Sequence, residues 1–182
     1  DSLRTALSDL SFISKSPLRS RASLNVPFAP SPLGLMYRAV MAHYPSPRRY
    51  AVDNMWTHAS IDELMPGLTR IANELPPAPS HMLWLNWQPP ATRPDMAFSM
   101  EDESYFACYS VWKEDKDDAA CIAWPEENMR AMQHLATGCQ LADENLGRRP
   151  ARFVSDENLV RLDQIRKSRD PEGRFYPWMG RP

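Results

Sequence analysis

The chain has 182 residues, 43% of them hydrophobic and 24% charged, which is the composition of a folded domain and not of a disordered tail. No apolar run approaches the roughly 20 residues a transmembrane helix needs, and Asp1 to Leu10 lacks the basic-then-apolar pattern of a secretory leader, so a cytoplasmic protein is expected. The formal charge of −2 is unevenly spread, at +5 over residues 1–50, −11 over 51–147 and +4 over 148–182, an acidic middle between basic ends that suits docking within or between protein chains and argues against nucleic acid, which wants one concentrated basic face.

Residues 1–48 are rich in Ser, Pro and Arg, and prolines at 17, 30, 32, 45 and 47 break them repeatedly. Only short helices fit, at Leu3 to Leu10 and Leu33 to His43, so a wrapping segment or linker is expected. From Arg49 the pattern tightens. Arg49–His58 predicts a strand with Tyr50, Val52 and Trp56 on one face. Ser60 and Glu63 have capping-box spacing, but Pro66 follows, which predicts a helix restarting there with Leu68, Ile71 and Leu75 as its apolar stripe. Pro76-Pro77 ends it.

His81–Gln88 predicts a second strand, and Met96–Met100 a short edge strand after a proline-rich turn. Ser104–Lys113 is apolar and aromatic on both faces, which predicts a central strand covered on both sides. Asp117 and Asp118 open an acidic helix start, with Ile122, Met129 and Met132 as its buried side and Gly138 as its stop. Cys139–Asp143 predicts a last short strand. Ser155 is placed to cap a final helix, with Val154 and Leu159 as a hydrophobic staple and Leu159, Leu162 and Ile165 facing inward.

These elements predict an α+β fold, an antiparallel sheet over residues 49–182 with its helices on one face. The other face carries Trp, Tyr and Met residues that water should not keep. Residues 1–48 could cover part of it; otherwise a second copy or another domain should. Three cysteines, at 108, 121 and 139, form no CxxC, and the histidines at 43, 58, 81 and 134 form no HxxxH, so neither a disulfide framework nor a zinc site is written here. Cys108 lies in the apolar strand pattern, where an inert buried thiol is the expectation. The six glycines form no nucleotide-binding loop and no nucleophile elbow.

Residues 48 to about 178 resemble the C-terminal half of FAD-linked oxidases of the vanillyl-alcohol oxidase superfamily, in the berberine-bridge-enzyme-like branch. The stretches that carry the likeness run in order: Arg48-Arg49-Tyr50 entering a strand, Asp62-Glu63-Leu64, Met96-Ala97-Phe98 before Tyr105, Val111-Trp112, and Asp117-Asp118 leading to Ile122-Ala123-Trp124. The most specific is Phe153 to Leu162, with its Asn158-x-x-Arg161-Leu162 spacing, running on to Asp170-Pro171 and Phe175. The resemblance implies a ferredoxin-like cap domain over a flavin, with the motif at 153–175 returning toward an FAD-binding half that is not in this sequence. It implies FAD as the cofactor of the whole enzyme, held by that other half and not by this chain alone, with no metal.

Departures accompany the likeness. Where the family has Tyr-x-Asn this sequence has Leu141 and Asp143, and Phe98-Ser99-Met100 replaces Phe-x-His. Tyr176-Pro177-Trp178-Met179 stands in place of an asparagine-rich ending. Catalytic residues are therefore not assigned. Candidate substrate-pocket residues are Trp56, Trp84, Tyr109, Gln140 and Asp143, all on predicted strands, and core packing is the competing reading for each aromatic. The expected function is the substrate-binding portion of an FAD-dependent oxidoreductase, partnered by an FAD-binding domain in a longer chain or separate subunit. The alternative is a degenerate module that dimerises through its sheet face without catalysis. Nucleic-acid binding through Arg148, Arg149 and Arg152 is a distant third.

Overall fold

In a computed structural model the chain divides into two compact units, Asp1–Pro45 and Ser46–Pro182. The structure describes residues 4, 5, 8, 11, 15–21, 32–42, 44–87, 89, 92 and 100–175. In the first unit these comprise a 3-10 turn at Pro17–Arg21 and helix α1, Leu33–Met41, none of whose residues is buried. Most of the segment expected at 3–10 and most of the edge strand expected at 96–100 lie outside the described residues, as does 176–179.

The second unit is built on a three-stranded antiparallel sheet of β1 (Arg49–Thr57), β2 (His81–Asn86) and β3 (Ser104–Trp112), in the order β1-β3-β2. The strand that is apolar on both faces is thus the central one, and eight of its nine residues, from Tyr105 to Trp112, are buried. Partners across the ladder share a face. Met55 with Phe106, and Asp53 with Cys108, put one set toward the helices; Trp56 with Tyr105, and Val52 with Tyr109, put the other set on the opposite side.

Helices α2 (Ile61–Asn73) and α3 (Asp118–Met132) close the first face. Their Leu64, Ile71, Trp124, Met129 and Met132 form one cluster with Met55, Phe106 and Cys108. Arg70 of α2 donates Nε to Asn128 Oδ1 of α3 at 2.9 Å, pinning the two helices side by side. The capping box is present: Ser60 Oγ accepts from Glu63 N, and Glu63 Oε2 accepts from Ser60 N.

Helix α2 does not restart at Pro66. It runs through from Ile61, because the capping box fixes its first turn and Leu64, 1% exposed, anchors that turn in the core. These gains offset the hydrogen bond that Pro66 cannot donate. Of the expected stripe, Ile71 is buried and Leu68 half-buried against the core, while Leu75 lies beyond the helix and is exposed. On α3 the buried side is Cys121, Trp124, Pro125, Asn128, Met129 and Met132, with Ile122 only half-buried.

Three further expectations are corrected. Gly138 does not end α3, which stops at Met132 and passes into a 3-10 turn at Gln133–Leu135. Cys139–Asp143 is not a strand. One bridge joins Gly138 to Trp56, through Trp56 N to Gly138 O (2.7 Å) and Thr137 N to Trp56 O (2.8 Å). The chain then leaves β1, because Cys139 N donates to Arg152 O and Gln140 N donates to the side chain of Asn54. Residues Leu141–Asp143 form a 3-10 turn instead.

The final helix, α4 (Asp156–Arg169), is capped by Ser155, whose Oγ accepts from Asn158 N at 3.3 Å, but it has no buried residue. Leu162 and Ile165 are exposed. With Leu159 they line a shallow apolar cleft of about 540 Å3 shared with Leu141, Phe153 and Phe175. The periodicity of this helix marks a surface face, and α4 does not join α2 and α3 in the core.

Candidate functional site

The sheet face away from α2 and α3 is closed within the chain around Trp56 and Tyr105, which are 5% and 1% exposed. Residues 1–48, a second copy or another domain were the covers expected there. The cover is the loop after α3. Tyr105 donates its hydroxyl to Asp143 Oδ2 at 2.9 Å, and its ring lies 4.9 Å from that of Trp56, tilted by 52°. Asn54, buried on β1, acts as a clasp: its Nδ2 donates to Gln140 O (3.0 Å) and Asp143 O (2.6 Å), and its Oδ1 accepts from Gln140 N (2.7 Å). Trp56 Nε1 is buried with no hydrogen-bond partner among the described residues.

The same loop is held from the sheet edge by a buried ion pair. Arg149 donates Nε to Asp53 Oδ2 at 2.7 Å and Nη2 to Asp53 Oδ1 at 2.5 Å, and Nη2 also donates to Asn54 O. Asn145 Nδ2 adds a 3.3 Å bond to Asp53. Arg149 is therefore a structural cation. Arg148 pairs with Glu126 and Arg152 with Asp156, both at the surface.

Of the five sequence-derived candidates, Trp56, Tyr109, Gln140 and Asp143 belong to this one face, although Gln140 and Asp143 sit on the covering loop and not on a strand. Tyr109 stacks on His81, with ring centroids 4.8 Å apart. Trp84 lies on the opposite face, stacked on Phe106 at 5.5 Å against the helical core, with Nε1 donating to Asn86 Oδ1. None of the five lines the cleft beside α4 or the one between the proline turn after α2 and α3. Sequence reasoning missed Asn54 and Tyr105. Tyr105 was legible as the inward neighbour of Trp56 on a paired strand; Asn54 reads as an ordinary strand polar residue until its partners 86 and 89 positions downstream are known.

A second polar cluster stands at the exit of β1. His58 Nδ1 and Asp102 Oδ2 are 2.8 Å apart, and Thr137 Oγ1 donates to the same carboxylate oxygen. Hydrogen bonding to Asp102, with its charge, raises the His58 pKa above its ordinary value. Burial opposes ionisation of Asp102, but the hydrogen bonds from Thr137 and His58 outweigh it and hold the carboxyl below its usual range.

The three cysteines are free and buried. Burial, with the Asp53 charge, pushes the Cys108 thiol far up, and burial pushes Cys139 up to about 11, so both are protonated and unreactive near neutrality. No group of His, Cys, Asp or Glu among the described residues is arranged to hold a metal ion.

Over 133 residues, 72% of its length, the chain is 26% identical to a protein described as FAD-linked oxidoreductase ptmO, from Penicillium ochrochloron. It has the same identity and coverage with FAD-linked oxidoreductase penO of Penicillium crustosum. The match takes in 29% of each relative, so the chain spans less than a third of the length of these curated proteins. No family model matches it. The chain is thus a distant relative of FAD-linked oxidoreductases. Around the covering loop, Asn54 donates to Asp143 O, Tyr105 donates to the Asp143 carboxylate, and Arg149 is committed to Asp53.

Proposed function

We propose that this chain is the substrate-binding portion of an FAD-dependent oxidoreductase of the berberine-bridge-like kind, working with a separate FAD-binding region in the same longer chain or another subunit. The observation that carries the reading is the collinear similarity to two FAD-linked oxidoreductases over 72% of the chain. The sheet supports it, with one face packed by helices and the other carrying a tyrosine–carboxylate pair beside a tryptophan. When bound by its partner region, FAD supplies the electron chemistry. This chain's part is to orient the substrate, with Asp143, half-buried on the covering loop and held in place by Tyr105, as the candidate carboxylate; Trp56 and Tyr109 are buried in the face behind that loop.

The test is to isolate the native particle that contains this chain and to examine it for flavin. Stoichiometric flavin, reduced on adding substrate, is the expected result. A homogeneous, flavin-free particle overturns the reading. It would favour a module without catalysis, to which one observation already leans: the polar groups of the candidate pocket are spent on one another.

A further inference from the structure

A second cleft, of about 760 Å3, lies on the helical side of the sheet, between the proline turn after α2, the end of β3 and the first half of α3. Its volume falls within the range of small-molecule sites, roughly 300–1,000 Å3. Its walls are Pro76, Pro77, Trp112, Trp124 and Ala123, flat or small surfaces suited to an aromatic ring. Trp124 is buried and its indole Nε1 is closed off from the cleft, so it contributes ring surface alone.

Charge selects among aromatic ligands. Three carboxylates, Glu74, Asp117 and Glu127, line the cleft against two cations, Arg48 and Lys113. Lys113 already has Glu114 at 3.4 Å. Glu74 caps the C-terminal end of α2, and Glu127 adjoins Asn128, where Arg70 ties α2 to α3. Neither Glu74 nor Glu127 is paired with a cation among the described residues. Arg48, whose Nη1 donates to Pro47 O, stands in the lining against Glu74, Asp117 and Glu127, so the cleft keeps an excess of negative charge beside its tryptophan walls, an arrangement that attracts an ammonium by charge and by cation–π contact.

We infer that this cleft is a binding site for an aromatic amine, its ring between the proline turn and α3 and its ammonium on Glu74 and Glu127. The site lies across the sheet from Tyr105 and Asp143 and stands whether or not the oxidoreductase reading does. No covalent step is implied, because burial and the nearby Asp117 and Asp118 keep the Cys121 thiol in its wall protonated.

The experiment uses the 182-residue chain and three probes of like size, 2-phenylethylamine, 2-phenylethanol and 3-phenylpropionate, titrated by tryptophan fluorescence and ligand-observed NMR. Saturable binding of the amine, at least tenfold tighter than that of the alcohol or the acid, is expected. The exposed double substitution Glu74→Gln, Glu127→Gln should remove that preference, and Ala123→Trp should abolish binding by filling the cleft. No saturable binding, equal binding of the three probes, or binding that survives both substitutions in a folded chain overturns the inference.

Discussion

Arg149 and Asp53, 96 residues apart in the chain, form a two-pronged ion pair in which both side chains are almost wholly buried, at 2% and 1% exposure. The pair joins the loop that follows α3 to the edge strand of the sheet. Because Arg149 also donates to Asn54 O, it fixes the residue whose side chain clasps Gln140 and Asp143. Ion pair, clasp and covering loop are one construction.

Removing one charge leaves the other buried without a counter-ion, which typically costs about 3–5 kcal/mol. Arg149→Leu is therefore expected to destabilise the fold by that amount in urea unfolding. Replacing both partners, as Asp53→Leu with Arg149→Met, should recover much of the loss, since no uncompensated charge remains. A single substitution costing less than about 1 kcal/mol would show that the loop is not held by this pair.

Asn54 and Tyr105 should differ in a definite order. Asn54→Ala strips one acceptor and two donor bonds from a buried clasp and leaves backbone groups of Gln140 and Asp143 to find water, a loss of about 2–3 kcal/mol. Tyr105→Phe removes one hydroxyl from the half-buried Asp143, a loss of about 1 kcal/mol. Hydrogen exchange at the Gln140 amide should rise in the first variant far more than in the second. The reverse order would mean that the phenol, and not the amide, organises the loop.

The parts of this architecture that were legible in the sequence are those with local causes. Two-sided apolarity placed Ser104–Lys113 at the sheet centre, the Ser60–Glu63 spacing marked the capping box, and Ser155 marked the start of α4. What was not legible depends on partners distant in sequence. Asp53 and Asn54 read as polar strand residues; only Arg149 and the 140–143 turn make them buried ones. Pro66 read as a helix start because its cost is local, whereas the burial of Leu64 that offsets it is tertiary. The α4 stripe of Leu159, Leu162 and Ile165 has the right period for a core face, yet periodicity does not say which surface an apolar stripe meets.

Gly138 is required by a close approach, not by helix termination. A Cβ built there would lie 2.8 Å from Met100 Cβ and 3.0 Å from the backbone oxygen of Arg152. Neither atom can be moved by a simple side-chain rotation, since one is a Cβ and the other is main chain. The crowding also adjoins the only bridge between β1 and the loop among the described residues. Gly138→Ala should therefore cost about 1–3 kcal/mol, in the range of overpacked sites, and should weaken protection of the Trp56 amide in hydrogen exchange. A neutral or stabilising Ala would mean that the 137–139 segment stands farther from Arg152 in solution.

The His58–Asp102–Thr137 cluster predicts how stability varies with pH. The His58 pKa is raised in the folded chain, first by its hydrogen bond to Asp102 and then by that charge, with Glu103 and Glu63 also facing it. A raised pKa means that the contribution is fully present below the unfolded value of about 6.5 and is lost as pH rises through the folded one. For Asp102 the folded pKa is lowered, so its contribution is present above about 3.9 and is lost as pH falls through the folded value. The two together give a plateau in mildly acidic solution, declining on both sides. His58 is largely exposed, so the alkaline step should be small and should shrink further with added salt. Thermal midpoints measured against pH should show that step in the parent chain, lose it in His58→Gln, and lose both steps arising from this cluster in Asp102→Asn. An NMR titration gives the sharper reading: the His58 ring should titrate above its ordinary value and fall back to it in Asp102→Asn. A His58 that titrates at or below the ordinary value in the folded parent chain would show that the contact with Asp102 is not formed in solution.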